Sequence, residues 1–167
     1  MLFNTNAKTF DAANALLLAE ASEVAYNSEE AARALMLERG LTKFKWIDLS
    51  GVFNDLHAFA ASNDEIAVLA FRGTASVHDW MTDLYATPTR FSWLFQGGPE
   101  VGEIHAGFGH ALSDGWGKIV DAVHTVAPIP LAMDTSSVDA KRTLWITGHS
   151  LAGAPLSIKW IISPTSE

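Results

Sequence analysis

Thr143-Leu-Trp-Ile-Thr-Gly-His-Ser-Leu-Ala-Gly153 decides how this chain is read. An apolar strand, Thr143 to Thr147, runs into a tight turn at Gly148-His149-Ser150 with helix-forming residues behind it. A serine on such a strand-to-helix turn is lifted off the end of a sheet, next to backbone N–H groups able to hold an oxyanion. Ser150 is therefore the candidate nucleophile. The pattern Gly-x-Ser-x-Gly is met at Gly148 but not at its second glycine, where Ala152 stands and Gly153 follows one residue late.

Strands alternating with helices surround this turn. Ile66-Ala-Val-Leu-Ala-Phe71 is a continuous apolar run, the mark of a strand buried on both faces. Before it, Lys43 to Leu49 alternates polar with apolar residues, Leu56 to Ala61 forms another strand candidate, and Asn63-Asp64 turns the chain between them. Phe10, Ala13, Leu17, Leu18, Ala21, Val24 and Ala25 fall at helical spacing. Asn27 with Glu30 caps a second helix over Ser28 to Arg39, stopped by Gly40. Phe108, Ala111, Leu112, Gly115, Trp116, Ile119, Val120 and Val123 predict a long helix from residue 107 to about residue 126. Val77, Trp80, Met81 and Leu84 predict a short one over Ser76 to Leu84. Residues 86 to 102 read as a loop, with an unusual aromatic load at Phe91, Trp93 and Phe95. This order indicates one α/β domain over residues 1–167 with a mixed or parallel sheet.

Composition narrows the function classes. The 167 residues are 49% hydrophobic and 18% charged, enough to bury a core. A formal charge of −8, with Lys141-Arg142 the longest basic run, excludes a nucleic-acid surface. There is no cysteine, so no disulfide and no thiolate metal site. No apolar run reaches membrane-spanning length. Lys8 followed by Ala12 to Ala19 loosely imitates a secretory signal, but Asp11 and Asn14 interrupt it. A helix packed on the body is the preferred reading, with a cytoplasmic location favoured.

Three stretches then stand in order: Ala70-Phe-Arg-Gly-Thr74 with Asp79-Trp80 and Asp83-Leu84; His105-Ala-Gly-Phe108; and Thr147-Gly-His-Ser-Leu151. Together they resemble the class 3, fungal-lipase-like lipases, from about residue 10 to about residue 157. The resemblance implies an α/β-hydrolase fold, of which this chain holds the N-terminal part up to the elbow, and hydrolysis of carboxylic esters such as acylglycerols. It implies Ser150 as the acyl-accepting nucleophile, with the backbone N–H groups of Leu151 and Thr74 as the oxyanion hole. Gly148, His149, Gly153, Arg72, Gly73, Asp79 and His105 stand as supporting motif positions, His149 and His105 without the role of base. A lid in some members follows the position of Thr74. The substrate class is a lipid or small ester, with contact at a lipid interface, and no cofactor or metal is implied. His57, His78, His110 and His124 have no motif support and read as surface or core histidines.

The same resemblance exposes a gap. The expected order is Ser, then Asp or Glu, then His, yet after Ser150 there is one acid, Glu167, and no histidine. Pro155 also disturbs the helix after the elbow, at about 3 kcal/mol. The expectation is a truncated or divergent member with little turnover, its strand at Thr143 to Thr147 left as an open edge that invites self-association. Two other readings stand beside it. One is a non-catalytic fragment that binds lipid or a partner chain through Phe91 to Phe95 and the open edge; the other is a hydrolase of different esters or of phospholipids.

Overall fold

The computed structural model describes residues 3, 4, 7, 9–49, 57–73, 88–90, 103–128 and 143–148, with 88–90 and 103–114 described as backbone. Helices α1 (Ala12–Val24) and α2 (Glu29–Glu38) come first, followed by strands β1 (Lys43–Asp48), β2 (His57–Ser62) and β3 (Ile66–Phe71). Two short strands, β4 (Pro88–Arg90) and β5 (Glu103–His105), precede helix α3 (Ala106–Val126) and strand β6 (Thr143–Gly148). The main sheet has the order β1-β2-β3-β6, antiparallel up to β3 and parallel between β3 and β6.

Side-chain alternation along the strands divides the core into two layers. Phe59, Ala61, Ile66, Val68 and Ala70 face α1 and α2, where they meet Leu17, Ala21, Met36 and Leu41. Ala58, Ala60, Ala67, Leu69 and Phe71 face α3, where they meet Ile119, Ala122 and Val126. All six residues of β3 are buried, as its unbroken apolar sequence predicts. Each large side chain there gains about 1.5–3 kcal/mol from leaving water.

Local chemistry sets the element ends. Asp11 caps α1 by accepting from the N–H groups of Ala13 (2.9 Å) and Asn14 (3.1 Å). Asn4 adds a third bond to the Asp11 carboxylate, at 2.8 Å; this bond, then the Asn14 N–H, holds the Asp11 carboxyl below its ordinary range. Ser28, not Asn27, caps α2: its hydroxyl accepts from the Ala31 N–H at 3.3 Å. The expected cap lay one residue early because Asn27 still closes the turn after α1, its N–H donating to the Val24 carbonyl at 3.0 Å. Gly40 ends α2 at φ 83°, and the N–H groups of Gly40 and Leu41 reach back to the carbonyls of Leu37 and Met36. Such a double closure needs a left-handed residue, which glycine supplies without a steric cost.

Between β2 and β3 the Asn63 carboxamide oxygen accepts from the N–H groups of Glu65 and Ile66, both at 2.9 Å, so Asn63 templates the hairpin. At the far end of α3, the Ser62 hydroxyl donates to the Val126 carbonyl. Gly115 of α3 lies against Leu49, close enough that an added Cβ would sit 2.6 Å from a Leu49 methyl.

The structure corrects two further expectations. Phe10 precedes the helix cap and is exposed rather than on the buried face of α1, which instead includes Asn14 and Ser22. Asn14 is accommodated by two hydrogen bonds to the backbone of Asn4. The stretch 86–102 is not wholly loop, since Pro88–Arg90 pairs with Glu103–His105; Pro88 opens its strand, the position a proline tolerates. Trp46, Trp116 and Trp145 are only partly buried, packed on the rims of the core layers. The helix expected at Ser76 to Leu84, the aromatic stretch Phe91 to Phe95, the connection from Asp134 to Arg142 and the segment after Pro155 lie outside the described residues.

Candidate active site

The parallel pairing of β3 with β6 organises the candidate site. Its rungs run from Ile66 opposite Thr143 to Phe71 opposite Gly148. Both strands therefore end at the same edge of the sheet, and the two motifs that follow them, Arg72-Gly73-Thr74 and His149-Ser150-Leu151, depart from neighbouring strand ends. Ligand sites of open α/β sheets lie outside the carboxyl ends of such strands. Of the residues expected at this site, Arg72, Gly73 and Gly148 are described there. Ser150, Leu151, Thr74, His149, Gly153 and Asp79 lie outside the described residues.

The elbow strand is held from below. The Thr147 hydroxyl donates to the Leu18 carbonyl of α1 at 3.0 Å, and the Trp145 ring meets Phe3 edge-on at 4.9 Å between centroids. Among the described residues β6 pairs only with β3 and stands at the end of the strand order.

The other side of β3 carries a polar rung. The Arg72 N–H donates to the His57 carbonyl at 2.9 Å, extending the β2–β3 ladder one step past Phe71. The Arg72 guanidinium lies over the Tyr26 ring at 5.7 Å, just beyond the end of α1. Its Nε is buried and has no hydrogen-bond partner. The His57 ring leans on Trp46, and its Nδ1 sits 3.8 Å from an Asp48 carboxylate oxygen, beyond hydrogen-bond reach. His57 is thus a partly buried histidine at the elbow end of the sheet. His124 is exposed near the end of α3, next to the rung of Ser62 and so at the opposite end. No motif in the sequence marks the His57–Arg72 rung. It follows from the register of the folded hairpin, which is centred between Asp64 and Glu65 and so sets residue 57 opposite residue 72.

His105 ends β5 opposite Pro88 and leads directly into α3. The second half of α3, from Gly115 at Leu49 to Val126 at Ser62, spans the sheet. The rise of about 1.5 Å per residue then carries its first half, and His105 with it, past the sheet on the elbow side. The third motif therefore lies at the same end as the other two. Among the described residues no three His, Cys, Asp or Glu side chains gather to hold a metal ion, and no helix is long and apolar enough to cross a membrane.

Comparison with known proteins accords with this arrangement. No curated protein and no solved structure matches the chain. The profile of the family described as lipase (class 3) matches residues 68–159, more than half of the sequence, from within β3 to beyond the elbow. The chain belongs to the class 3 lipase family.

Proposed function

We propose that the chain is a serine ester hydrolase of lipase type, built on the α/β-hydrolase fold of its family with the described strands as its first part. Ser150 attacks the ester carbonyl, the N–H groups of Leu151 and Thr74 hold the oxyanion, and an acyl-serine forms as the alcohol leaves. The observation that supports this most is the rung of Phe71 opposite Gly148. Ser150 follows Gly148 by two residues and Thr74 follows Phe71 by three, so connectivity keeps them within about 7 Å and 11 Å of strand ends about 4.8 Å apart. A nucleophile and an oxyanion donor need that proximity. The substrate is an acylglycerol or another small carboxylic ester, bound without metal or cofactor.

The base is the part that this reading leaves out. None of the six histidines follows Ser150 in the sequence, so we expect slow turnover by these 167 residues alone. A short-chain p-nitrophenyl ester tests both points. The expected result is slow release of p-nitrophenol that Ser150→Ala abolishes. Equal rates in the wild type and Ser150→Ala would overturn the assignment of Ser150, whereas turnover at ordinary lipase rates would show that a histidine of this chain serves as base.

One observation favours a second reading, a lipase-like chain that binds a lipid or a partner chain without turnover. The end position of β6 in the strand order leaves one side of it unpaired among the described residues. Size-exclusion chromatography separates the cases, since a monomer at all concentrations counts against pairing through that edge.

A further inference from the structure

Arg72 is described at the elbow end of the sheet with no role in the acyl-serine reaction. Its backbone and side chain are both anchored: the N–H to the His57 carbonyl, the guanidinium over the Tyr26 ring. Gly73, which follows, is buried and has no side chain. Arg72 is thus the last side chain fastened to the body before Thr74. Its charge is also uncompensated among the described residues. Arg33 pairs with Glu29, and Arg39 with Glu20 and Glu38, but Arg72 has no ion pair there and its buried Nε has no acceptor. An always-protonated, partly desolvated guanidinium without a carboxylate is a costly arrangement. It becomes useful where negative charge develops close by, because a fixed cation in a medium of low dielectric stabilises that charge without reorganising.

We propose that Arg72 is a positioning residue for the oxyanion segment: its guanidinium, held on Tyr26, fixes the chain leaving β3 and places a positive charge, without an ion pair among the described residues, two residues before Thr74. The proposal rests on the reading of Ser150 and Thr74 given above. Arg72 acts through Thr74 and does not touch the substrate. Tyr26 supplies a flat, uncharged seat that holds the guanidinium without neutralising it, which a carboxylate in the same place would not do.

Phosphonylation of Ser150 by a neutral alkyl fluorophosphonate tests this, because the reagent is uncharged when bound and gains negative oxygen charge in the transition state. The full chain is compared with Arg72→Met, Arg72→Lys and Tyr26→Leu, with Ser150→Ala as control and circular dichroism to confirm folding. Expected are a maximal rate lowered about tenfold in Arg72→Met with unchanged half-saturation, a rate within about threefold of wild type in Arg72→Lys, which keeps the charge, and an intermediate rate in Tyr26→Leu. If Arg72→Met does not fold, the two other variants decide. Wild-type rates in every folded variant, or a loss in Arg72→Lys as deep as in Arg72→Met, overturn the role of Arg72 and leave Ser150 in place. Labelling that survives Ser150→Ala overturns the reading of the site, and this proposal with it.

Discussion

Phe71 and Gly148 face each other on the last rung of a parallel strand pair, and each is the final strand residue before a motif segment. The β3–β6 pairing therefore brings together motifs separated by more than seventy residues of sequence. Amide hydrogen exchange reports on it directly. The amides of Ala67–Phe71, paired on both sides and buried throughout, should exchange only through global unfolding, and those of Thr143–Gly148 faster but still well protected. Exchange of Thr143–Gly148 at the rate of an unstructured chain would refute the parallel pairing.

Thr147 joins the elbow strand to the first helix. Its hydroxyl is buried and donates to the Leu18 carbonyl at 3.0 Å. Thr147→Val keeps the shape and loses the bond, and urea unfolding should show a loss of about 1 kcal/mol. Thr147→Ser, which keeps the hydroxyl, should recover most of it. A Thr147→Val protein as stable as the wild type would mean that the bond contributes nothing net.

Gly115 of α3 fits closely against Leu49, just past the end of β1. A methyl at Gly115 would meet a Leu49 methyl at 2.6 Å, but that methyl is the free end of a side chain and can move. Gly115→Ala should therefore change stability by no more than about 1 kcal/mol, the clash offsetting the gain of about 1 kcal/mol in helix propensity. In a Leu49→Ala background the clash is gone, so the same substitution should stabilise by most of that gain. A double-mutant cycle measures the coupling, and simple additivity would sink this account.

Glu20 and Arg39 link α1 to the end of α2 by two parallel hydrogen bonds, each 2.8 Å long. Those bonds from Arg39 hold the Glu20 carboxyl below its ordinary value of 4.5. A depressed folded-state value means that the unfolded chain takes up the proton first as pH falls. The contribution is complete above about pH 4.5 and is lost as pH falls through the lower folded value. The wild type should thus melt above Glu20→Gln at pH 7, and the gap should close in acid. A gap that stays constant from neutral pH to pH 3 would contradict the linkage.

Much of this was legible in the sequence because it rests on local chemistry. The unbroken run Ile66 to Phe71 gave a strand buried on both faces, and helical spacing gave α3 to within one residue of its start. The cap of α2 was misplaced by one residue, since Asn27 and Ser28 are both good caps and the preceding turn takes the first. Pro88–Arg90 was missed because three residues opening on a proline carry no period of their own; only the partner strand Glu103–His105 makes them a strand.

The candidate site divides along the same line. The turn at Gly148-His149-Ser150 marks Ser150 as the candidate nucleophile from residue types alone, because acyl transfer requires a nucleophile on a sharp turn; Thr74 and the order of the three motifs are legible only through the resemblance to class 3 lipases. Sequence could not reveal that β3 and β6 run parallel as neighbours, nor that His57 and Arg72 share a rung over Trp46 and Tyr26. Those relationships belong to strand pairing and packing between distant segments. They form because each strand must find partners for its backbone bonds and cover for its apolar faces, and only the folded sheet decides which segments provide them.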